Sequence, residues 1–260
     1  MRRAFQILLT LLCVTPAAAQ LNISVATFDP GVPEDRSSHR DLHVFPKIRE
    51  IESKFLPFVL RQSLVDSGNW GAVRVVPEAD EAAEILVTGE IVHSDGEFLG
   101  VKLRAVDSRG HEWVRQAYST SSSYEDLFAG FLDDLHNVQT GLDEQTLRGI
   151  AGLSMMRYAA ALAPDAFGGY FEQLPDGTYK LLRLPADSDP MMARIQRIRS
   201  VEYVMTDAID QKFRELYEEV DSVYEIWRKY RRWYANFRKE EAQRNELAQT
   251  DAEPGSYEAL

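Results

Sequence analysis

The chain has 260 residues, 45% of them hydrophobic, with 29 basic against 41 acidic residues and a formal net charge of −12. That balance opposes general nucleic-acid binding. Its one cysteine, Cys13, excludes a disulfide framework, so the fold must rest on its own core, for which this length suffices.

Residues 1–19 read as a secretory signal: Arg2 and Arg3 precede an apolar run from Ile7 to Val14, and Ala17-Ala18-Ala19 gives a small-residue cleavage site before Gln20. The run is too short to span a bilayer, and no other stretch approaches the ~18–20 apolar residues a membrane helix needs. Cys13 follows Leu11-Leu12 inside that run, which does not suit lipid attachment. The expected location is the periplasm, after cleavage near Ala19. Without the two leader arginines the chain carries 27 basic and 41 acidic residues, a net −14. Export also removes ATP and pyridine-nucleotide chemistry from the expected repertoire, and no cofactor is expected.

Residues 23–28 form a β-rich run stopped by the turn signal Asp29-Pro30-Gly31. Beyond a polar stretch, Ile48, Ile51, Phe55, Phe58, Val59, Gln62 and Val65 recur at three-and-four spacing, which predicts the buried face of a helix. Pro57 inside that pattern predicts a kink or a break, and Ser67-Gly68-Asn69 ends it. Residues 72–77 then predict a second strand, and 84–93, 98–106 and 112–118 three more with hairpin-sized connections. Ser94-Asp95-Gly96 and Asp107-Ser108-Arg109-Gly110 supply residues that tolerate tight reversals. Leu99, Val101, Leu103 and Ala105 alternate with Lys102 and Arg104, the pattern of a sheet packed on one face and wet on the other.

This β-α-β-β-β order, with Val25-Ala26-Thr27-Phe28, the strand Val87-Thr88-Gly89-Glu90-Ile91 and the Asp107-x-x-Gly110 hairpin, resembles the α/β domain of the TolB amino-terminal and curli-secretion (CsgG) type over residues 22–120. The resemblance implies a small envelope-associated domain that mediates protein contacts. It brings no catalytic or ligand residue with it, and the chain has neither the lipid-attachment cysteine nor the propeller repeats of that pattern.

From Tyr124 the periodicity turns helical. Residues 124–138 and 144–162 predict two helices, with Asp143 as a cap and Pro164 as a stop. Residues 170–184 predict a β-hairpin around Pro175-Asp176-Gly177. Asp189-Pro190 then supplies a cap and a first-turn proline, and neither Pro nor Gly recurs until Pro254. Within this long helix Ile209, Phe213, Leu216, Val220, Val223, Trp227, Tyr230, Tyr234 and Phe237 alternate at four and three, a heptad seam. Such a seam demands cover. Either the two preceding helices fold back along it as a bundle, or the distal part projects to meet another subunit or a partner.

The fold class expected is α+β: a small α/β domain with a mostly antiparallel five-stranded sheet, plus a helical C-terminal region with one long helix. The layout expected is a signal at 1–19, a sheet domain at 20–123, a helical region at 124–245 with the hairpin at 170–184, and a disordered tail at 246–260. Phe213, Val220, Trp227, Tyr230, Tyr234 and Phe237 are the candidate partner-binding residues. Arg228, Lys229, Arg231 and Arg232, interleaved with Trp227 and Trp233, form a candidate basic patch that suits an anionic membrane surface. The same bases also complement the macrodipole near a helix C-terminus.

Signs of catalysis are few. His39 and His43 lie four apart near Asp35 and Asp41 in a polar, loop-like stretch, while His93 and His111 sit beside hairpin turns near Asp95 and Asp107. Gly152-Leu153-Ser154-Met155-Met156 lacks the second glycine of a nucleophile elbow and falls in a helix, and no phosphate-cradling loop, zinc-protease helix or calcium loop occurs. No catalytic, cofactor-binding or metal-binding residue is assigned. The expectation is a non-enzymatic periplasmic cell-envelope protein that binds envelope proteins or itself through the long helix, as a scaffold or assembly factor. The alternatives are an envelope hydrolase with a site between the sheet and the helices, using His93 or His111, and a peripheral membrane protein that docks through 227–239.

Overall fold

The computed structural model describes residues 20–37, 39 and 44–251. The predicted signal at 1–19, the part of the predicted tail at 252–260, and Asp41 and His43 lie outside the described residues.

A five-stranded sheet organises the first half of the chain: β1 (Ile23–Ala26), β2 (Val73–Val76), β3 (Ile85–Ser94), β4 (Leu99–Asp107) and β5 (Glu112–Thr120), in the order β2-β1-β3-β4-β5. It is mixed, not mostly antiparallel as expected. β1 pairs in parallel with both β2 and β3, whereas β3–β4 and β4–β5 are antiparallel hairpins. The reason is the helix α1 (Pro46–Asp66), a crossover that returns the chain beside β1 in the same direction. The link from β2 to β3 is likewise no hairpin: it carries the chain past β1 to its other edge. Alternation reports which face a side chain takes and is silent on strand direction. At the two true hairpins Gly96 and Gly110 adopt φ of 90° and 85°, as those turns require.

Helix α1 is continuous through Pro57. A helical proline leaves the carbonyl four residues earlier without a partner; here that carbonyl, on Ser53, accepts from the main-chain N–H of Phe28 at 2.8 Å. The face that α1 buries also differs from the one predicted. Glu52, Phe55, Leu56, Leu60 and Leu64 point inward while Ile51 and Val65 stay exposed. The buried stripe is thus set by the Leu56-Leu60-Leu64 run and includes polar residues that hydropathy assigns to solvent.

Two further helices follow. In α2 (Tyr124–Thr140) the Ser123 hydroxyl caps the first turn, accepting from Asp126 N at 3.2 Å; in α3 (Glu144–Leu162) Asp143 accepts from Thr146 N at 2.7 Å. The core of the sheet continues across residue 123, because Tyr124, Leu127, Phe128, Phe131 and Leu135 pack with Val87, Ile91, Val101 and Leu103. A second, smaller cluster joins Met156 and Ala159 of α3, Phe167 of the single turn α4 (Pro164–Phe167), and Met192 and Ile195. The ribbon of β6 (Phe171–Gln173) and β7 (Tyr179–Leu181) lies against α3, with the Leu181 side chain over Gly152, and its Tyr179 N donates to Arg109 O at 2.7 Å.

The last element, α5 (Pro190–Asp251), has 62 residues, which corresponds to about 90 Å at the helical rise. Asp189 Oδ1 caps it, accepting from the N–H groups of Met191 and Met192 at 2.8 and 3.1 Å. Helices α2 and α3 do not fold back along its seam. They are committed to the sheet and to the small cluster, and α5 instead runs past the edge of the sheet and along α1.

Candidate functional site

Three sets of contacts fix α5 to the body. At its start Met192 and Ile195 enter the small cluster, and Arg199, 4% exposed, stacks over the Tyr158 ring at 4.3 Å and donates to the Tyr203 hydroxyl at 2.6 Å. Next, α5 meets β2, an edge strand. Arg74 pairs with Asp207 at 2.8 Å, and Asp210 Oδ2 accepts from Val75 N at 3.4 Å and lies 3.3 Å from Arg61 Nε. A helix carboxylate thus occupies an edge N–H that would otherwise be free to pair with another chain. Burial raises the Asp210 pKa above the usual aspartate value, despite the Val75 N–H and Arg61.

The third set is a buried polar network. Tyr217 donates to Lys54 O at 3.1 Å and packs on Phe55 and Phe58. One turn pair further on, Tyr224 stacks on Tyr124 with ring centroids 5.8 Å apart, and its hydroxyl donates to Glu52 Oε1. The same oxygen accepts from Ser94 Oγ at 2.5 Å, so α1, β3 and α5 meet at one carboxylate. Burial pushes the Glu52 pKa up to about 7, against the opposing pull of the Ser94 hydrogen bond and the Arg49 and Arg228 charges. Arg49 donates to Ile91 O at 2.5 Å, and Arg228 lies over the Tyr124 ring at 5.4 Å. Trp227 meets Phe45 edge to face at 5.9 Å, and Arg231 stacks on Phe45 while donating to Asp95 O at 3.0 Å. Gly96 completes the fit, since a Cβ there would lie 2.5 Å from Arg231 Cβ.

These contacts divide the residues predicted to bind partners. Trp227 is turned toward the body, whereas Phe213, Tyr230, Tyr234 and Phe237 face solvent at 40–58% exposure. The Val220 side chain lies outside the described residues. The predicted basic patch is not one surface: Arg228 is 2% exposed and Arg231 is bonded to Asp95 O, while Lys229 is exposed and pairs with Glu225 at 3.5 Å. Arg232 is half-buried. The outward stripe also includes Leu216, Val223, Ile226 and Trp233, of which Ile226 is 67% exposed. Ile226 and Trp233 stand outside the predicted seam. Their spacing of seven from one another marks a heptad face rotated away from the body.

His93 and His111 do not converge. His93 lies 3.1 Å from Asp95 on the β3–β4 hairpin, half-exposed, and His111 sits at the opposite end of β4, about 24 Å away at the strand rise. Asp107 is committed to Arg109 at 2.7 Å and to Trp113 Nε1 at 3.0 Å. Ser154 lies within α3 and donates to Ala82 O at 2.5 Å. His39 Nε2 is 2.7 Å from Pro33 O. A groove of about 410 Å³ between the outer face of the sheet and the β6–β7 ribbon holds Arg104 and Arg157, which pair with Glu112 and Glu81, and no histidine lines it. Among the described residues no helix is long and apolar enough to cross a membrane.

No protein-family model matches the chain, and no curated protein matches it. Among solved structures, a PelC dodecamer from Paraburkholderia phytofirmans is similar at 15% identity and a TM-score of 0.30, over 45% of this chain and 90% of that one. A likeness this slight carries neither fold nor function across.

Proposed function

We propose that this is a non-enzymatic periplasmic protein of the cell envelope, a scaffold or assembly factor that binds a protein partner through the outward face of α5. The observation that carries this reading is that α5 is anchored by one face and leaves a second face apolar and uncovered. Glu52, Tyr224, Arg228 and Arg231 hold the helix in place, and Val223, Ile226, Tyr230 and Trp233 remain 58–67% exposed. Contiguous apolar surface of this kind marks an interaction site, and its heptad spacing suits another helix. The resemblance of residues 22–120 to TolB amino-terminal and CsgG-type domains, which implies protein contacts in the envelope, agrees with this. A membrane role is less well supported, because two of the four bases it needs are turned into the body.

The test is site-specific photo-crosslinking in cells. A crosslinker replacing Tyr230 or Trp233 yields discrete protein adducts, while one replacing Lys102 on the wet face of the sheet yields none. Absence of adducts from both α5 positions refutes the reading.

A further inference from the structure

The same stretch of α5 has two opposed asymmetries. Residues 215–225 hold five acidic residues and no basic one, whereas residues 228–239 hold six basic residues and no acidic one; Arg228 and Arg231 are turned into the body, which leaves four bases for a partner. Between 216 and 237 the outward stripe changes character at the same place: Leu216, Val223 and Ile226 are aliphatic, and Tyr230, Trp233, Tyr234 and Phe237 are aromatic, with the exposed Phe213 lying before that window. Both boundaries fall at Ile226–Trp227. From this double complementarity we infer that the occupant of the stripe is a second copy of this chain, its α5 running antiparallel across a two-fold axis near Ile226.

An antiparallel pair sets each acidic segment beside the basic segment of its mate, and each aliphatic half against an aromatic half, so large side chains meet smaller ones. A parallel pair would place like charges side by side and crowd aromatic rings at the same levels. The body does not obstruct this arrangement, because Asp210, Tyr217, Tyr224 and Arg228 engage it from another side of the helix. Leu216, Val223, Ile226, Tyr230, Trp233 and Phe237 are 42–67% exposed; at about 90 Å² each their complete burial removes at most ~1,100 Å² over the pair, the low end for a specific interface. The two-fold contact is isologous and closes on itself, which gives a dimer and not a filament.

This inference rests on the reading of α5 as a protein-binding surface, and the experiment separates the two. The full chain, with Cys13→Ser, is measured by light scattering and treated with a short bis-maleimide after Ile226→Cys or Phe237→Cys. The expected results are a dimeric mass, crosslinking of position 226 to itself, and none at 237, whose two copies lie about 30 Å apart along an antiparallel pair. Ile226→Glu with Tyr230→Glu gives a monomer whose unfolding midpoint equals that of the parent chain diluted to where it too is monomeric. A monomeric mass of the parent chain at every concentration overturns self-pairing, whether or not the chain sediments with phosphatidylglycerol vesicles, and so does crosslinking at 237 in place of 226. If the chain is monomeric yet Tyr230 photo-crosslinks to a different protein in cells, self-pairing falls and the scaffold reading stands. If the chain is a dimer in solution and gives no adduct to another protein in cells, self-pairing stands and the scaffold reading falls.

Discussion

The hydroxyl of Tyr224 donates to the carboxylate of Glu52 across 172 residues of sequence. Because Ser94 donates to the same oxygen, loss of Glu52 takes the acceptor from both hydroxyls at once. The long helix is therefore joined to the sheet through a group whose charge state matters.

Glu52 makes stability depend on pH. Its pKa is raised from 4.5 to about 7 by burial, so between those values the folded chain holds a proton that the unfolded chain has released. Stability from this group is full below pH 4.5 and is lost as pH rises through about 7. Urea denaturation from pH 4.5 to 8 should show wild type losing up to roughly 3 kcal/mol relative to Glu52→Gln, with the difference flat above pH 8.

Trp227 and Trp233 lie six positions apart on one helix, and only the first should matter to stability. Trp227→Ala removes a ring seated on Phe45 and the core, at about 2–3 kcal/mol. Trp233→Ala, on an exposed ring, should change stability by under about 0.5 kcal/mol. Chemical denaturation at concentrations where the chain is monomeric measures both.

Gly96→Ala meets two obstacles: a φ of 90°, which L residues rarely adopt, and a Cβ 2.5 Å from Arg231 Cβ. The variant should lose about 1–3 kcal/mol, and the loss should be local. Limited proteolysis should show faster cleavage around 228–240 while the sheet core stays protected.

Asp210→Ala withdraws the acceptor from Val75 N and the partner from Arg61. A cost of about 1–3 kcal/mol follows, and hydrogen exchange at the Val75 amide should accelerate more than at Val87, which lies inside the sheet.

Much of this architecture is legible in the residues. Leu99 and Lys102 take opposite faces as alternation requires, and Asp143 and Asp189 cap the helices they precede. Strand direction was not legible, because the pairing of β1 with β3 depends on where α1 and the 77–84 link deliver the chain. The anchoring of α5 was hidden for a different reason. Arg49, Glu52 and Arg228 read as solvent-facing by hydropathy, and only their mutual proximity across distant segments makes their burial tolerable. Local pattern likewise placed Trp227 and Tyr230 on one seam. The body claims the first and leaves the second, a distinction that depends on tertiary packing.

Pro57 leaves one carbonyl of α1 free, and the strand exit at Phe28 takes it. That weld is made entirely of main-chain atoms, so replacement of the side chain at position 53, or at 28 by anything but proline, leaves its donor and acceptor in place. Position 57 is where it is decided: an ordinary residue there would bring its own amide into competition for the Ser53 oxygen. The imino acid that elsewhere interrupts a helix acts here as the fastener between the first strand and the helix that crosses it.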